Sequence, residues 1–131
     1  MARLSLRVDL EPAGRVGPGK VALLEQIAAL GSIAAAGRAM GMSYRRAWEL
    51  VDDLNTCFGA PVVETRVGGN KRGGAALTAL GDEVIARYRA IERKAARAAA
   101  TELAALQVRR VAAGGPADRR QEAMDPPPPA G

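Results

Sequence analysis

The sequence predicts a mostly α protein with a small β-hairpin, a winged helix-turn-helix with a long C-terminal dimerisation helix. Three observations carry that expectation: short helices punctuated by single glycines between residues 18 and 58, a strand, Gly-rich basic loop and strand from Pro61 to Leu77, and a helical apolar stripe from Leu80 to Leu106. Composition agrees. Apolar residues make up 48% of the chain but aromatics only 3%, so helix packing through small side chains is favoured over a β-branched sandwich or barrel. At 131 residues there is room for one domain of ordinary size.

Residues 1–17 read as an N-terminal strand and loop. Leu4, Leu6, Val8 and Leu10 alternate with Arg3, Ser5, Arg7 and Asp9, the period of a half-buried strand; Pro12, Gly14 and Gly17 end it. The winged helix-turn-helix is expected over 18–78. Pro18 stands at the first position of a helix carrying Val21, Leu24, Ile27, Ala28 and Leu30 on its apolar face, stopped by Gly31. Ser32 caps a second helix over 33–40, closed by Gly41, and Ser43 caps a third over 44–58. That third helix should bury Ala47, Leu50, Val51 and Leu54. Arg45, Glu49, Asp52 and Thr56 then lie opposite, with Arg46 and Asp53 on one flank and Tyr44, Trp48 and Asn55 on the other.

Gly59 and Pro61 break the third helix, and strands over 61–67 and 75–77 enclose the glycine-rich tip. Thr78 caps a long dimerisation helix over 79–112, whose stripe is Leu80, Val84, Tyr88, Ile91, Ala95, Ala99, Leu103 and Leu106. About 30 helical residues reach roughly 45 Å, too far to be covered within one small domain, so Tyr88, Ile91, Ala95, Ala99, Leu103 and Leu106 are the candidate dimerisation residues. The Pro-rich tail, 113–131, lacks the apolar content to fold.

Several function classes are excluded. The chain has no His, which removes the commonest general acid–base group, the His-dependent nucleophilic triads and His-containing zinc sites. Cys57 is the sole cysteine, so neither an internal disulfide nor a Cys-only metal site can form, and it reads as a buried small hydrophobe. Asp52 and Asp53 point about 100° apart on a helix and read as solvated charges. The wing is no phosphate-cradling loop, because no Gly-Lys-Ser or Gly-Lys-Thr follows it. No catalytic residue, metal or cofactor is expected. Charged residues interrupt every apolar stretch, so no membrane partner is expected, and the lone cysteine makes a reducing cytoplasm the expected compartment.

With 19 Lys plus Arg against 14 Asp plus Glu, a formal charge of +5, an anionic partner such as nucleic acid is plausible, and the winged helix-turn-helix pattern makes double-stranded DNA the expected partner. In a winged helix-turn-helix the third helix enters the major groove and the wing reaches phosphates or the adjacent minor groove. The candidate DNA-binding residues are Ser32 and Ser43 at the helix caps, Tyr44, Arg45 and Arg46 on the third helix, and Arg66, Lys71 and Arg72 on the wing. Arginine's planar donor fork suits both guanine edges and phosphates, which leaves both open for Arg45 and Arg46. Trp48 reads as a packing anchor.

A more specific pattern runs through residues 20–95: Gly31-Ser32-Ile33, Ala36, Gly41, Ser43-Tyr44-Arg45-Arg46-Ala47-Trp48, Leu54-Asn55, Phe58-Gly59, Pro61, Gly68-Gly69, and Gly73-Gly74-Ala75-Ala76-Leu77-Thr78 with Gly81. It resembles the ModE-type molybdate-responsive transcriptional regulators, whose N-terminal domain is similar to the LysR-type winged helix. The resemblance implies sequence-specific DNA binding at molybdenum-related genes. Full-length members carry C-terminal oxyanion-binding domains with a Ser-Ala-Arg-Asn motif, and nothing like it follows Thr101 in this sequence. The expectation is therefore a homodimeric regulator without its own molybdate-sensing domain. The alternative is an accessory protein that heterodimerises with a full-length relative.

Overall fold

The computed structural model describes residues 1–66 and 74–110. They fall into two units, Leu4–Arg97 and a second containing Met1–Arg3 with the residues from Ala98 onward. Lys71, Arg72 and the 113–131 tail, all part of the sequence expectations, lie outside the described residues.

In the first unit, β1 (Val8–Asp9) pairs antiparallel with β2 (Arg15–Val16), in the register Val8↔Val16 and Asp9↔Arg15. The expected inside–outside alternation runs from Leu4 to Leu10, but the ladder is only two residues long. Its partner strand, which periodicity does not reveal, stops at Gly17-Pro18, where proline supplies no N–H to continue it. Three helices follow, α1 (Pro18–Leu30), α2 (Ile33–Ala39) and α3 (Tyr44–Phe58), then β3 (Val63–Arg66), β4 (Gly74–Leu77) and α4 (Ala79–Ala98). The second hairpin is antiparallel, pairing Val63 with Leu77 and Arg66 with Gly74.

The core lies where α1, α2, α3 and β4 meet. Helix α1 buries Val21, Leu23, Leu24 and Ile27, whereas Ala28 and Leu30 are exposed. This corrects the expected face: α1 is central and packs on α2, α3 and β4, so it buries a broader and differently centred surface than a one-sided helix does. The expected α3 stripe of Ala47, Leu50, Val51 and Leu54 is buried as a set. Buried Ala36 and Gly37 bring α2 close to Ala47. The turn between α2 and α3 runs through Gly41 at φ +70°, a left-handed conformation costly for other residues.

The α3-to-β3 corner is held by polar groups. Asn55 Oδ1 accepts the Val62 N–H at 2.8 Å. Thr78 donates its hydroxyl to the Pro61 carbonyl at 2.8 Å and accepts the Gly81 N–H at 3.1 Å, capping α4 as expected. A Cβ at Gly81 would lie 2.2 Å from the Val62 carbonyl oxygen, so only glycine lets α4 approach the backbone just before β3. Further along α4, Arg89 is gripped by Glu25 of α1 at 2.6 and 3.0 Å and by Glu92 at 2.7 Å. The hydrogen bonds it donates to Glu25 and then to Glu92 hold its guanidinium protonated well above the ordinary arginine range.

The second unit contains α5 (Ala100–Arg109), none of whose residues is buried. The single helix expected over 79–112 is thus two, separated at Ala99, where φ is −101° and ψ 11°. No glycine or proline marks the break. Past Tyr88 no side chain of α4 is buried, so beyond that point core packing no longer fixes the backbone.

Candidate nucleic-acid interface

Two serines start the helices of the helix-turn-helix. Ser32 Oγ accepts the Ala35 N–H at 3.0 Å, and Ser43 Oγ accepts the Arg46 N–H at 3.0 Å. Both are side-chain caps, worth about 1 kcal/mol each. Ser43 is exposed and Ser32 half-buried, so Ser43 keeps its second lone pair and its hydroxyl proton on the surface.

The first turn of α3 projects outward. The Arg45 side chain is 90% exposed and that of Arg46 58%, while Tyr44 is 56% exposed. Both arginines pair with Glu49, at 3.7 Å from Arg45 and 3.3 Å from Arg46. Exposed pairs of this kind contribute about 0.2–1 kcal/mol, so a phosphate or base edge can displace the carboxylate. Half-buried Trp48 packs against the core and meets the Tyr44 ring edge-on, with centroids 6.3 Å apart and planes at 83°. It anchors Tyr44 from below, in keeping with its expected packing role.

A cleft of about 860 Å3 opens between α2, the first turn of α3 and the second hairpin, lined by Ser32, Arg38, Tyr44, Trp48, Thr65 and Arg66 among others. It brings together Ser32, Tyr44 and Arg66, three of the sequence candidates. Arg38 is a member that sequence reasoning missed; its one signal was a lone cation in the otherwise uncharged Ile33–Ala39 segment. Ser43, Arg45 and Arg46 stand at the same helix end but outside that cleft. The later turns of α3 expose Glu49, Asp52 and Asp53, so of this helix only its N-terminal turn is chemically suited to an anion.

The expected dimerisation residues separate. Tyr88 is only 2% exposed, and its hydroxyl donates to the Leu6 carbonyl, so its surface is used within the protomer. Ala95 is half-buried. Ile91 is 43% exposed and closes an apolar groove of about 240 Å3 whose lining includes Val8, Leu10, Phe58, Leu80 and Tyr88. On α5, Leu103 is half-buried and Leu106 68% exposed, with Val108 exposed beside them; Ala99 at the break is half-buried. Among the described residues, no group of His, Cys, Asp and Glu could hold a metal ion, and no helix is long and apolar enough to cross a membrane.

Comparison with known proteins shows relatives that match about two thirds of the chain. The chain is similar to the molybdenum-pterin-binding protein MopB of Rhodobacter capsulatus, with 47% identity over 91 residues, 69% of this chain and 34% of that protein. The molybdenum transport protein ModE of Azotobacter vinelandii is 37% identical over 92 residues, 70% of this chain and 33% of its own. The DNA-binding transcriptional dual regulator ModE of Escherichia coli K12 is 33% identical over 87 residues, 66% of this chain and 33% of its own. The chain thus spans about a third of the length of the curated relatives it matches. Among solved structures, the CbnR DNA-binding domain in a complex with DNA superposes with a TM-score of 0.51 at 22% identity, covering 67% of this chain and 95% of that one. This likeness is one of fold. No protein-family model matches the chain.

Proposed function

We propose that this chain, a homologue of ModE transcriptional regulators over two thirds of its length, binds double-stranded DNA sequence-specifically and regulates transcription of molybdenum-related genes. The observation that carries the reading is the first turn of α3, where Ser43 orders the helix end and Arg45 and Arg46 project into solvent beside an open cleft. A helix N-terminus carrying two arginine forks suits the donor and acceptor pattern of a major groove and its phosphate walls. The role is recognition, not catalysis.

Homodimerisation is the second part of the proposal. Leu106 and Val108 stand exposed on α5, and Ile91 lies over its apolar groove; these are the apolar side chains that a second copy would cover. A two-fold dimer would set two α3 helices on two half-sites of an approximate palindrome. Selection from a randomised duplex pool tests both parts. The expected result is an enriched two-part motif, lost with Arg45→Ala/Arg46→Ala. Equal enrichment profiles for wild type and variant would refute the reading.

A further inference from the structure

The first turn of α3 is flanked by two concavities, and only one belongs to the cleft beside α2 and the second hairpin. The other, about 260 Å3, lies between the β1–β2 hairpin, the start of α1 and α3, and Arg7, Arg15, Lys20 and Arg46 line it together with Gly17 and Gly19. Among the described residues, every charged side chain lining it is a cation. A Cβ placed on Gly19 would meet nothing within 4 Å, so the groove is open there down to the backbone.

The cations are held but not consumed. Lys20 Nζ donates to the Arg15 carbonyl at 3.1 Å and lies 3.8 Å from Asp53. Arg7 pairs with Asp9 at 2.9 Å and Arg46 with Glu49 at 3.3 Å, both pairs well exposed. Exposed pairs are weak and screened, so a phosphate belonging to the closely spaced row of charges on a duplex replaces the carboxylate at little cost. Among the described residues, no carboxylate lies within ion-pairing distance of the exposed Arg15 guanidinium.

An α-helix of about 10–12 Å diameter fills a major groove about 12 Å wide, and a phosphate ridge then rises on each side of it. The α2 side of α3 carries Tyr44 and Trp48, and the opposite flank carries Arg46, which is shared with the basic groove. We infer that the groove of Arg7, Arg15, Lys20 and Arg46 seats the phosphate backbone on the far side of α3, making the N-terminal hairpin part of the duplex interface. This rests on the DNA-binding reading above and adds a second flank to it.

Phosphate contacts carry no sequence code, so a labelled duplex of mixed sequence, about 30 base pairs long and titrated from about 50 to about 200 mM salt, is the probe. Wild type is compared with Arg7→Ala/Arg15→Ala and with a charge-matched control, Arg93→Ala/Lys94→Ala, at exposed positions of α4. The groove variant should flatten the salt slope by about 1.8, at about 0.9 for each phosphate no longer neutralised, and weaken binding by roughly tenfold at the lower salt. The control should keep the wild-type slope, and Arg7→Lys/Arg15→Lys should restore most of the affinity. Arg7→Gln/Arg15→Gln serves the same comparison should the alanine pair melt early. A groove variant with the slope of the control overturns the inference while leaving DNA binding intact. A wild-type chain that binds neither this duplex nor any selected one refutes the DNA-binding reading itself, and the groove's role with it.

Discussion

Arg45 and Arg46 are adjacent in sequence, yet the structure assigns them different surroundings, and their alanine variants should behave differently. Arg45 stands on the outermost ridge of α3 with its side chain 90% exposed and Glu49 at 3.7 Å as its ion-pair partner. Arg46 leans to the flank, 58% exposed, beside Lys20 and Arg15. In the proposed complex a ridge position would face base edges and a flank position phosphate. Arg45→Ala should therefore remove one bidentate base interaction, about 1–3 kcal/mol, which is about 5- to 150-fold in affinity for a selected operator. Affinity for mixed-sequence duplex should change far less. Arg46→Ala should weaken both duplexes by similar factors and flatten the salt slope by about 0.9. Neither should move folding stability by more than about 0.5 kcal/mol, because both residues are exposed and their pairs weak. Anisotropy titrations on the two duplexes, with thermal melts by circular dichroism, decide this. Equal weakening on both duplexes for Arg45→Ala would refute base contact by that side chain, and wild-type affinity in both variants would remove α3 from the interface.

Gly81→Ala should destabilise the fold by about 1–3 kcal/mol through overpacking, because its Cβ would lie 2.2 Å from the Val62 carbonyl oxygen; a wild-type melting temperature would contradict that. Burial, and then the negative charge of Glu92, raise the Tyr88 pKa above its ordinary value. The stability that neutral Tyr88 contributes is thus full below about pH 10, its unfolded value, and is lost as pH rises through the folded value. Tyr88→Phe should cost about 0.5–1.5 kcal/mol at about pH 8 by deleting the bond to the Leu6 carbonyl, and its deficit against wild type should shrink above about pH 10; a urea-denaturation gap that stays constant would exclude the titration. Sedimentation equilibrium should find twice the chain mass for wild type and a monomer for Ile91→Asp/Leu106→Asp, whereas dimeric variants would place the interface elsewhere. Molybdate should displace the 131-residue chain from operator no better than sulfate at equal ionic strength, since exposed cations offer both anions the same weak competition; a molybdate-specific change in affinity would reveal an effector site on this chain.

Local chemistry made much of the fold readable. Ser32, Ser43 and Thr78 act as helix caps at the positions where a hydroxyl precedes a helical run, and the stripe of α3 is buried because a period of about 3.6 admits only one face. These features depend on neighbours in sequence. The short strand β2, the buried face of α1 and the end of α4 do not: β2 is two residues long, α1 is covered from several directions, and Ala99 has no local signal for a break.

For the proposed interface, the sequence alone determined which helix presents its N-terminus and which arginines it carries, because capping and amphipathic spacing are read along one chain. Only the tertiary structure decided what stands beside them. Arg38 and Arg66, far apart along the chain, share a cleft with Tyr44, and Arg7 and Arg15 come to the flank of Arg46 from the N-terminal hairpin. Tyr88 belongs to the protomer core and not to the expected dimer stripe for the same reason: its hydroxyl partner, the Leu6 carbonyl, lies 82 residues away. Helical period tells which face a side chain takes, but what that face meets is set by long-range packing, which no spacing along the chain encodes.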